Sequence, residues 1–167
     1  TLDAGSDKPV AYATLRDEPN PALGVRGIRI NGIHPNVLAN QLDAIAVAAM
    51  TAPDTDVWVM APMIATAAEA RWFAGLINER NDVFGVSLKA GVMVEVPATA
   101  ILIDQIMEYV DFVSIGTNDL TQYTMAADRL SANLAEYSDP WQPAPLALIR
   151  KVVKAGLRLG KPVGVCG

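Results

Sequence analysis

An α/β fold that forms part of a parallel (β/α)8 barrel of the TIM type is predicted from two features of the sequence. Short apolar runs alternate at least four times with longer segments of helical periodicity, as in parallel strands joined by right-handed crossovers. Two acids, Glu95 and Asp119, stand where successive apolar runs end. The carboxyl ends of barrel strands open on one face that carries the chemistry, so these acids favour a barrel over an open sheet.

Five segments are predicted to be strands because they are short, rich in apolar residues and separated by helical patterns. They are residues 25–30, 57–63, 88–95, 111–116 and 163–166. The second is an almost unbroken apolar run, as expected of a strand that is covered on both faces. Five strands do not close an eight-stranded barrel, so we expect residues 1–167 to form one incomplete barrel domain.

Helices are predicted between these strands from their end signals. Pro35 and Pro97 suit the first turn of a helix, the second of which should run to Met107. Thr66 and Glu69 have the spacing of a capping box. Residues 119–126 and 146–159 complete the set, with Gly160 as a C-terminal cap. Residues 1–23, 116–123 and 140–145 have loop-forming composition.

The bulk properties exclude several classes of protein. A net charge of −5 without basic runs argues against a nucleic-acid surface, and no apolar stretch is long enough to span a membrane. The single cysteine rules out an intrachain disulfide and indicates a reducing compartment, the cytoplasm. The chain starts at Thr1 and ends directly after a predicted strand, so we expect a fragment of a longer protein.

Glu95 and Asp119 are the first candidates for chemistry. Each acid alone is equally explained as a cap for the helix that follows it. Together, on neighbouring strand ends, they favour a Mg²⁺ site, which needs only one or two carboxylates with water and substrate oxygens completing the shell.

Basic residues are candidates for holding an anion. Arg129 lies beyond the helix that Asp119 begins, and it either returns to the strand ends or remains a solvated surface residue. Arg26 and Arg29 fall on one side of a predicted strand, where a buried arginine needs an acid or a phosphate as its partner. Lys8 is a further phosphate ligand or an exposed loop lysine.

Cys166 and His34 have both a structural and a chemical interpretation. A lone cysteine in an apolar strand is commonly a small core residue. Cys166 nevertheless ends the last strand on the expected active face, where a protonated thiol could serve a carbanion-like centre. His34, the only histidine, precedes Pro35 and is better explained as a capping or surface residue.

Five motifs together resemble a known family. They are residues 20–30 (NPALGVRGIRI), 91–97 (GVMVEVP), 114–123 (SIGTNDLTQY), 127–129 (ADR) and 163–167 (VGVCG). Their order and spacing resemble the phosphoenolpyruvate-binding barrel of Enzyme I, the phosphoenolpyruvate-protein phosphotransferase family of the bacterial sugar phosphotransferase system. The resemblance covers essentially the whole chain. Pyruvate phosphate dikinase and phosphoenolpyruvate synthase look like more distant relatives.

This resemblance implies a role for each candidate residue in a barrel of the phosphoenolpyruvate/pyruvate-binding type. Glu95 and Asp119 correspond to Mg²⁺ ligands, and Cys166 to the acid that protonates the enolate carbon as pyruvate forms. The residues that correspond to substrate-binding positions are Asn118, Asp119, Arg129, Arg26 and Lys8. The implied partners are phosphoenolpyruvate and pyruvate, the phosphocarrier HPr, and a second subunit in a homodimer.

The chain also departs from the family pattern. Ser6 stands where the family has a second glycine. The phosphorylated histidine of the family belongs to an N-terminal domain that we do not expect in this sequence, and His34 does not match that histidine. The flanking barrel strands are likewise expected to lie outside it. Two alternatives therefore remain open: a barrel from a dikinase or synthase, and a non-catalytic dimerisation module. An incomplete barrel is expected to self-associate or to unfold partly over residues 1–23.

Overall fold

Four parallel strands form the single sheet of the computed structural model, which describes residues 1–13 and 17–167. Their bounds are Trp58–Ala61 (β1), Lys89–Val94 (β2), Phe112–Gly116 (β3) and Val163–Cys166 (β4). The strands lie in chain order, and each pairs in parallel with the next. This arrangement confirms the predicted α/β class, and it is the one that consecutive strands adopt in a β/α barrel.

Six α-helices connect and cover these strands in the described part of the chain. They are Pro35–Thr51 (α1), Ala67–Phe84 (α2), Pro97–Ile101 (α3), Ile103–Ile106 (α4), Thr117–Met125 (α5) and Pro143–Leu159 (α6). The predicted end signals are confirmed. Pro35 occupies the first turn of α1, Thr66 and Glu69 form the capping box of α2, and Gly160 ends α6 with φ +65°.

Three local predictions were wrong. Residues 25–30 do not form a strand, because Gly27 adopts φ +59° and starts a 3-10 helix, Gly27–Gly32. The helix predicted from Pro97 to Met107 is divided at Leu102, whose backbone leaves the helical region. Much of the loops predicted at 116–123 and 140–145 is helical, since α5 begins at Thr117 and α6 at Pro143; the helix predicted at 119–126 is confirmed as part of α5. The predicted loop 1–23 includes residues 14–16, which lie outside the described residues.

The two faces of the sheet have different roles. Val92, Val113 and Ile115 are fully buried in the core between the sheet and the helices. Side chains alternate along a strand, so the neighbouring positions face the other way. The register pairs Met93 with Ser114 and Gly116 with Cys166 on that opposite face. Chemistry-bearing residues at the ends of three strands are therefore brought to one edge of the sheet.

None of the helices in residues 1–13 and 17–167 combines the length and the apolar composition that crossing a membrane requires.

Candidate active site

Glu95 directly follows β2 and is almost completely buried, with 4% of its surface exposed. Its Oε1 accepts a hydrogen bond from the backbone N–H of Met63 at 2.7 Å, and Met63 has the left-handed φ of +59°. Gly116 leaves room for the other oxygen, because a Cβ there would lie 3.1 Å from Oε2. Burial raises the pKa of Glu95, and the nearby Asp3 and Asp119 add to that rise against the Met63 hydrogen bond. A cation would relieve this unfavourable charge.

Asp119 lies in the first turn of α5, where the chain leaves β3. Both of its oxygens are engaged by Arg26: Nη1 donates to Oδ1 and Nη2 donates to Oδ2, each at 3.0 Å. Nη1 of Arg129 lies 3.8 Å from Oδ2. Asn118 precedes Asp119 and is exposed to solvent. The structure thus brings Arg26 and Arg129 to the acid that follows β3.

Arg26 is the largest fully buried side chain among the described residues. Its guanidinium has five N–H donors, and five hydrogen bonds use them. Nε and Nη2 donate to Asp3 at 3.0 and 2.9 Å, Nη1 and Nη2 donate to Asp119, and Nη1 also donates to the Tyr123 hydroxyl at 3.2 Å. Burial opposes the charged form, but the bonds to Asp3 and Asp119 outweigh it and raise the pKa of Arg26. Acids, not solvent, provide the partner that a buried arginine requires.

Lys8 and Arg129 line the same open cleft, which has a volume of about 840 Å³. Nζ of Lys8 donates to Oδ2 of Asp3 at 2.9 Å. Arg129 reaches the cleft because Ala126 ends α5 with φ +52° and the backbone N–H of Arg129 donates to the Gln122 side chain at 3.0 Å. Arg129 thus lies half-buried beside the strand ends, with its guanidinium near Asp119.

Cys166 ends β4 and is exposed. Its Sγ lies 3.9 Å from Sδ of Met93 and 3.9 Å from Oγ of Ser114, so it occupies the same sheet face as these side chains. The interpretation of Cys166 as a buried core residue is wrong. His34 is also exposed, and it stands at the N-cap position of α1 without a capping hydrogen bond from its side chain. The interpretation of His34 as a surface residue is confirmed, and its interpretation as a capping residue is wrong.

Asp3, Asp7, Met63 and Tyr123 were not assigned a role from the sequence. Tyr123 belongs to a motif that was recognised, and its hydroxyl donates to the carbonyl of Ala22 while accepting from Arg26. Asp3 and Asp7 lie in a glycine-containing loop beside Lys8, where alternating charges were the only available signal. No local pattern indicates that this loop packs against Arg26, because that contact spans the fold.

The charges of the site suit a divalent cation. Among the described residues, four carboxylates face three basic side chains; the acids are Asp3, Asp7, Glu95 and Asp119, and the bases are Lys8, Arg26 and Arg129. Oδ1 of Asp7 is buried and has no hydrogen-bond partner in the described part of the protein. Within those residues no group of three or more His, Cys, Asp and Glu side chains is arranged to hold a metal ion. Mg²⁺ is commonly bound by one or two carboxylates of a protein, and Glu95 and Asp119 would provide two.

Comparison with known families gives the class of the protein. Residues 1–167 match the family model of the PEP-utilising enzymes, PEP-binding domain, and the chain belongs to that family. The fold of part of the chain is also similar to a citrate lyase from Burkholderia xenovorans. That structure has a TM-score of 0.54 and 16% identity, covers 65% of this chain and is itself covered over 35% of its length.

Proteins that share the name phosphoenolpyruvate-protein phosphotransferase are more similar in sequence than this citrate lyase. The phosphoenolpyruvate-protein phosphotransferase of Streptomyces coelicolor is 48% identical over 166 residues, which are 99% of this chain and 29% of the relative. That of Latilactobacillus sakei is 41% identical over 174 residues, covering 100% of this chain and 30% of the relative. The chain therefore spans less than a third of these proteins. The family inferred from the five sequence motifs is confirmed.

Proposed function

We propose that this chain supplies the phosphoenolpyruvate-binding site of a phosphoenolpyruvate-protein phosphotransferase. The protein would transfer the phosphoryl group of phosphoenolpyruvate to a histidine of the same protein and release pyruvate. One observation carries this proposal. In a chain of the PEP-binding family, a buried acid, Glu95, lies near an arginine–acid pair, Arg26 and Asp119. Two further cations, Lys8 and Arg129, line an open cleft beside this pair.

The basic residues would hold the substrate. Arg129 and Asn118 are proposed to bind the carboxylate end or the phosphate, and Lys8 and Arg26 to lie on the phosphate side. All five N–H donors of Arg26 already have partners, so a phosphate oxygen must replace one of them. We expect the phosphate oxygen to replace Asp119 as a partner of Arg26, since Asp119 is also proposed as a metal ligand. Positioning and neutralisation of charge are the main means by which proteins catalyse phosphoryl transfer.

Glu95 and Asp119 would hold Mg²⁺. When bound, the ion would supply positive charge to the phosphoryl and enolate oxygens. The excess of carboxylates in the site and the raised pKa of Glu95 both favour a bound cation. Each oxygen of Asp119 accepts one hydrogen bond from Arg26 and keeps a further lone pair with which it could bind the ion.

Cys166 is proposed to complete the reaction as a general acid. Breaking the bond between phosphorus and the enol oxygen leaves an enolate, while the new bond forms between phosphorus and the histidine nitrogen. The thiol proton of Cys166 would then pass to the terminal carbon of the enolate and give pyruvate. The exposure of the thiol and its position beside Met93, on the sheet face that Glu95 shares, support this role.

The remaining parts of the proposal concern the whole protein. HPr would accept the phosphoryl group from the histidine-carrying domain, a second subunit would form a homodimer, and the reaction would take place in the cytoplasm. The names of the relatives favour this phosphotransferase over a dikinase, a synthase or a non-catalytic module.

Binding measurements on the 167-residue chain test the proposed site. We expect phosphoenolpyruvate to bind in the presence of Mg²⁺ and to lose at least tenfold in affinity in Glu95→Gln and Asp119→Asn, since each removes a charged ligand. Asp56→Asn is the matched control, because Asp56 pairs with Lys89 on an exposed surface. Equal affinity in all four proteins would show that these acids do not form the site. Circular dichroism would verify that each variant is folded.

A further inference from the structure

Asp3 binds two of the cations for which substrate binding is proposed. Its Oδ1 accepts from Nε of Arg26 at 3.0 Å, and its Oδ2 accepts from Nη2 of Arg26 and from Nζ of Lys8, each at 2.9 Å. These bonds outweigh the burial of Asp3, which would raise its pKa, and lower that pKa below the ordinary value. One ionised carboxylate therefore fixes the separation of two basic groups.

The geometry of Arg26 gives Asp3 a distinct place in this arrangement. Asp3 binds the Nε–Nη2 edge of the guanidinium, whereas Asp119 binds the Nη1–Nη2 edge. Because the group is planar and rigid, a carboxylate on one edge determines where the other edge points. Asp3 thus keeps the second edge directed at Asp119, where the ligand is proposed to bind.

The backbone in turn fixes Asp3. The N–H of Gly27 donates to the carbonyl of Ala4 at 2.8 Å, which places Asp3 beside Arg26. Gly5 and Lys8 exchange backbone hydrogen bonds of 3.3 and 3.0 Å across a tight turn, and this turn brings Lys8 back to Asp3. The acid and both cations are therefore held in one local frame, although Arg26 lies far from Asp3 in sequence.

We propose that Asp3 is a positioning residue for phosphate recognition, a role that rests on the function proposed above. Asp3 acts through Arg26 and Lys8 and does not itself touch the substrate. It orients the guanidinium edge that faces Asp119 and keeps the ammonium group of Lys8 at a distance from which both can contact one phosphate group. Lys8 retains two N–H donors for this purpose after bonding to Asp3.

Charge and positioning predict opposite results when Asp3 is neutralised. If Asp3 acted only as a counter-ion, Asp3→Asn would remove a negative charge near an anionic ligand and strengthen binding. A purely stabilising role would change the affinity for every ligand of the site to a similar extent. A positioning role instead weakens the binding of ligands with a phosphate group and leaves a ligand without one nearly unaffected.

The test compares phosphoenolpyruvate with pyruvate, each titrated calorimetrically into the full 167-residue chain with Mg²⁺. We expect Asp3→Asn to weaken phosphoenolpyruvate binding about tenfold, the size of one charge-assisted contact, and to change pyruvate binding less than about twofold. Asp3→Glu keeps the charge but displaces it, so an intermediate loss of about threefold is expected. Asp43→Asn is the control, since Asp43 pairs with Arg80 in a separate salt bridge.

Other binding results would contradict the role proposed for Asp3. Unchanged or tighter phosphoenolpyruvate binding in Asp3→Asn overturns the positioning role, as does an equal loss for pyruvate. If Asp3→Asn does not fold, the Asp3→Glu variant decides the matter, because unchanged affinity there also overturns the role. Failure of the unsubstituted chain to bind either ligand would instead refute the proposed function, and the role of Asp3 would fall with it.

Discussion

The inner part of the site and its rim differ in how firmly their side chains are held. The inner part, formed by Asp3, Arg26, Glu95 and Asp119, is mostly buried. Hydrogen bonds of 2.9–3.0 Å join Arg26 to Asp3 and Asp119, while Glu95 accepts its hydrogen bond from Met63. The rim, formed by Asn118 and Cys166, is exposed, and the thiol has only long contacts to its neighbours. Two polar residues at strand ends, Glu95 and Cys166, thus have different physical environments.

This difference separates two requirements of a binding site. Buried charges must be paired within the protein before any ligand arrives, because an unpaired charge in the interior is very costly. Exposed groups are solvated by water, so they need no partner within the protein while the ligand is absent. The inner part is therefore expected to contribute to stability as well as to binding, whereas the rim is expected to contribute to binding and chemistry alone.

The largest effect is expected from removing the cation at the centre of the inner part. Arg26→Met removes both hydrogen bonds that Asp119 accepts from Arg26 and leaves Asp3 with Lys8 alone, and it should lower the free energy of unfolding by roughly 3–5 kcal/mol. Urea denaturation measures this loss. The control is Arg80→Met, which removes a partly exposed pair with Asp43 and should cost only about 0–1 kcal/mol. Similar losses in the two variants would contradict the division into inner part and rim.

A smaller effect, opposite in sign, is expected at Glu95. Burial and neighbouring acids raise its pKa in the folded protein. As pH rises from the ordinary glutamate value to this raised value, the unfolded chain loses its proton first, so ionisation of Glu95 favours unfolding and stability falls. Without added metal, Glu95→Gln should therefore be more stable than the original chain at pH 7.

The advantage of Glu95→Gln should shrink as pH falls and disappear at about pH 3, below the ordinary glutamate pKa of about 4.3, where the carboxyl is protonated in both states. Glutamine keeps an oxygen that can accept from Met63, so the substitution chiefly removes the charge. Thermal unfolding of both proteins across this pH range is the measurement. A constant difference in melting temperature would show that the charge of Glu95 is not what the site opposes. Adding Mg²⁺ should reverse the advantage at pH 7, because only the carboxylate is a ligand for the ion.

The smallest effect is expected at the rim. Cys166→Ser should change the free energy of unfolding by less than about 0.5 kcal/mol, since the thiol is exposed. Ile115→Val, one strand away in the buried core, provides the comparison and should cost about 0.5–1.5 kcal/mol for a single methylene. A loss at Cys166 that exceeds the loss at Ile115 would mean that β4 is packed more tightly than its exposure indicates.

Local signals in the sequence were sufficient for most of the framework. The capping box of Thr66 and Glu69, the proline that starts α1 and the glycine that ends α6 act over a few residues and were all identified. Residues 25–30 were misassigned because apolar and basic residues alternate there as in a strand. The positive φ of Gly27 and the bond from Ile28 N–H to the Pro62 carbonyl at 3.4 Å determine the observed turn.

By itself, the sequence determined the order of strands and helices, the family, and the placement of Glu95 and Asp119 at neighbouring strand ends, because periodicity and end signals depend on nearby residues. The tertiary structure decided which charges are paired. Arg26 meets Asp3 across 23 positions and Asp119 across 93 positions. Such pairs form only when packing excludes water and brings distant segments together, so no short pattern in the chain could show that these acids surround Arg26 or that Cys166 remains exposed.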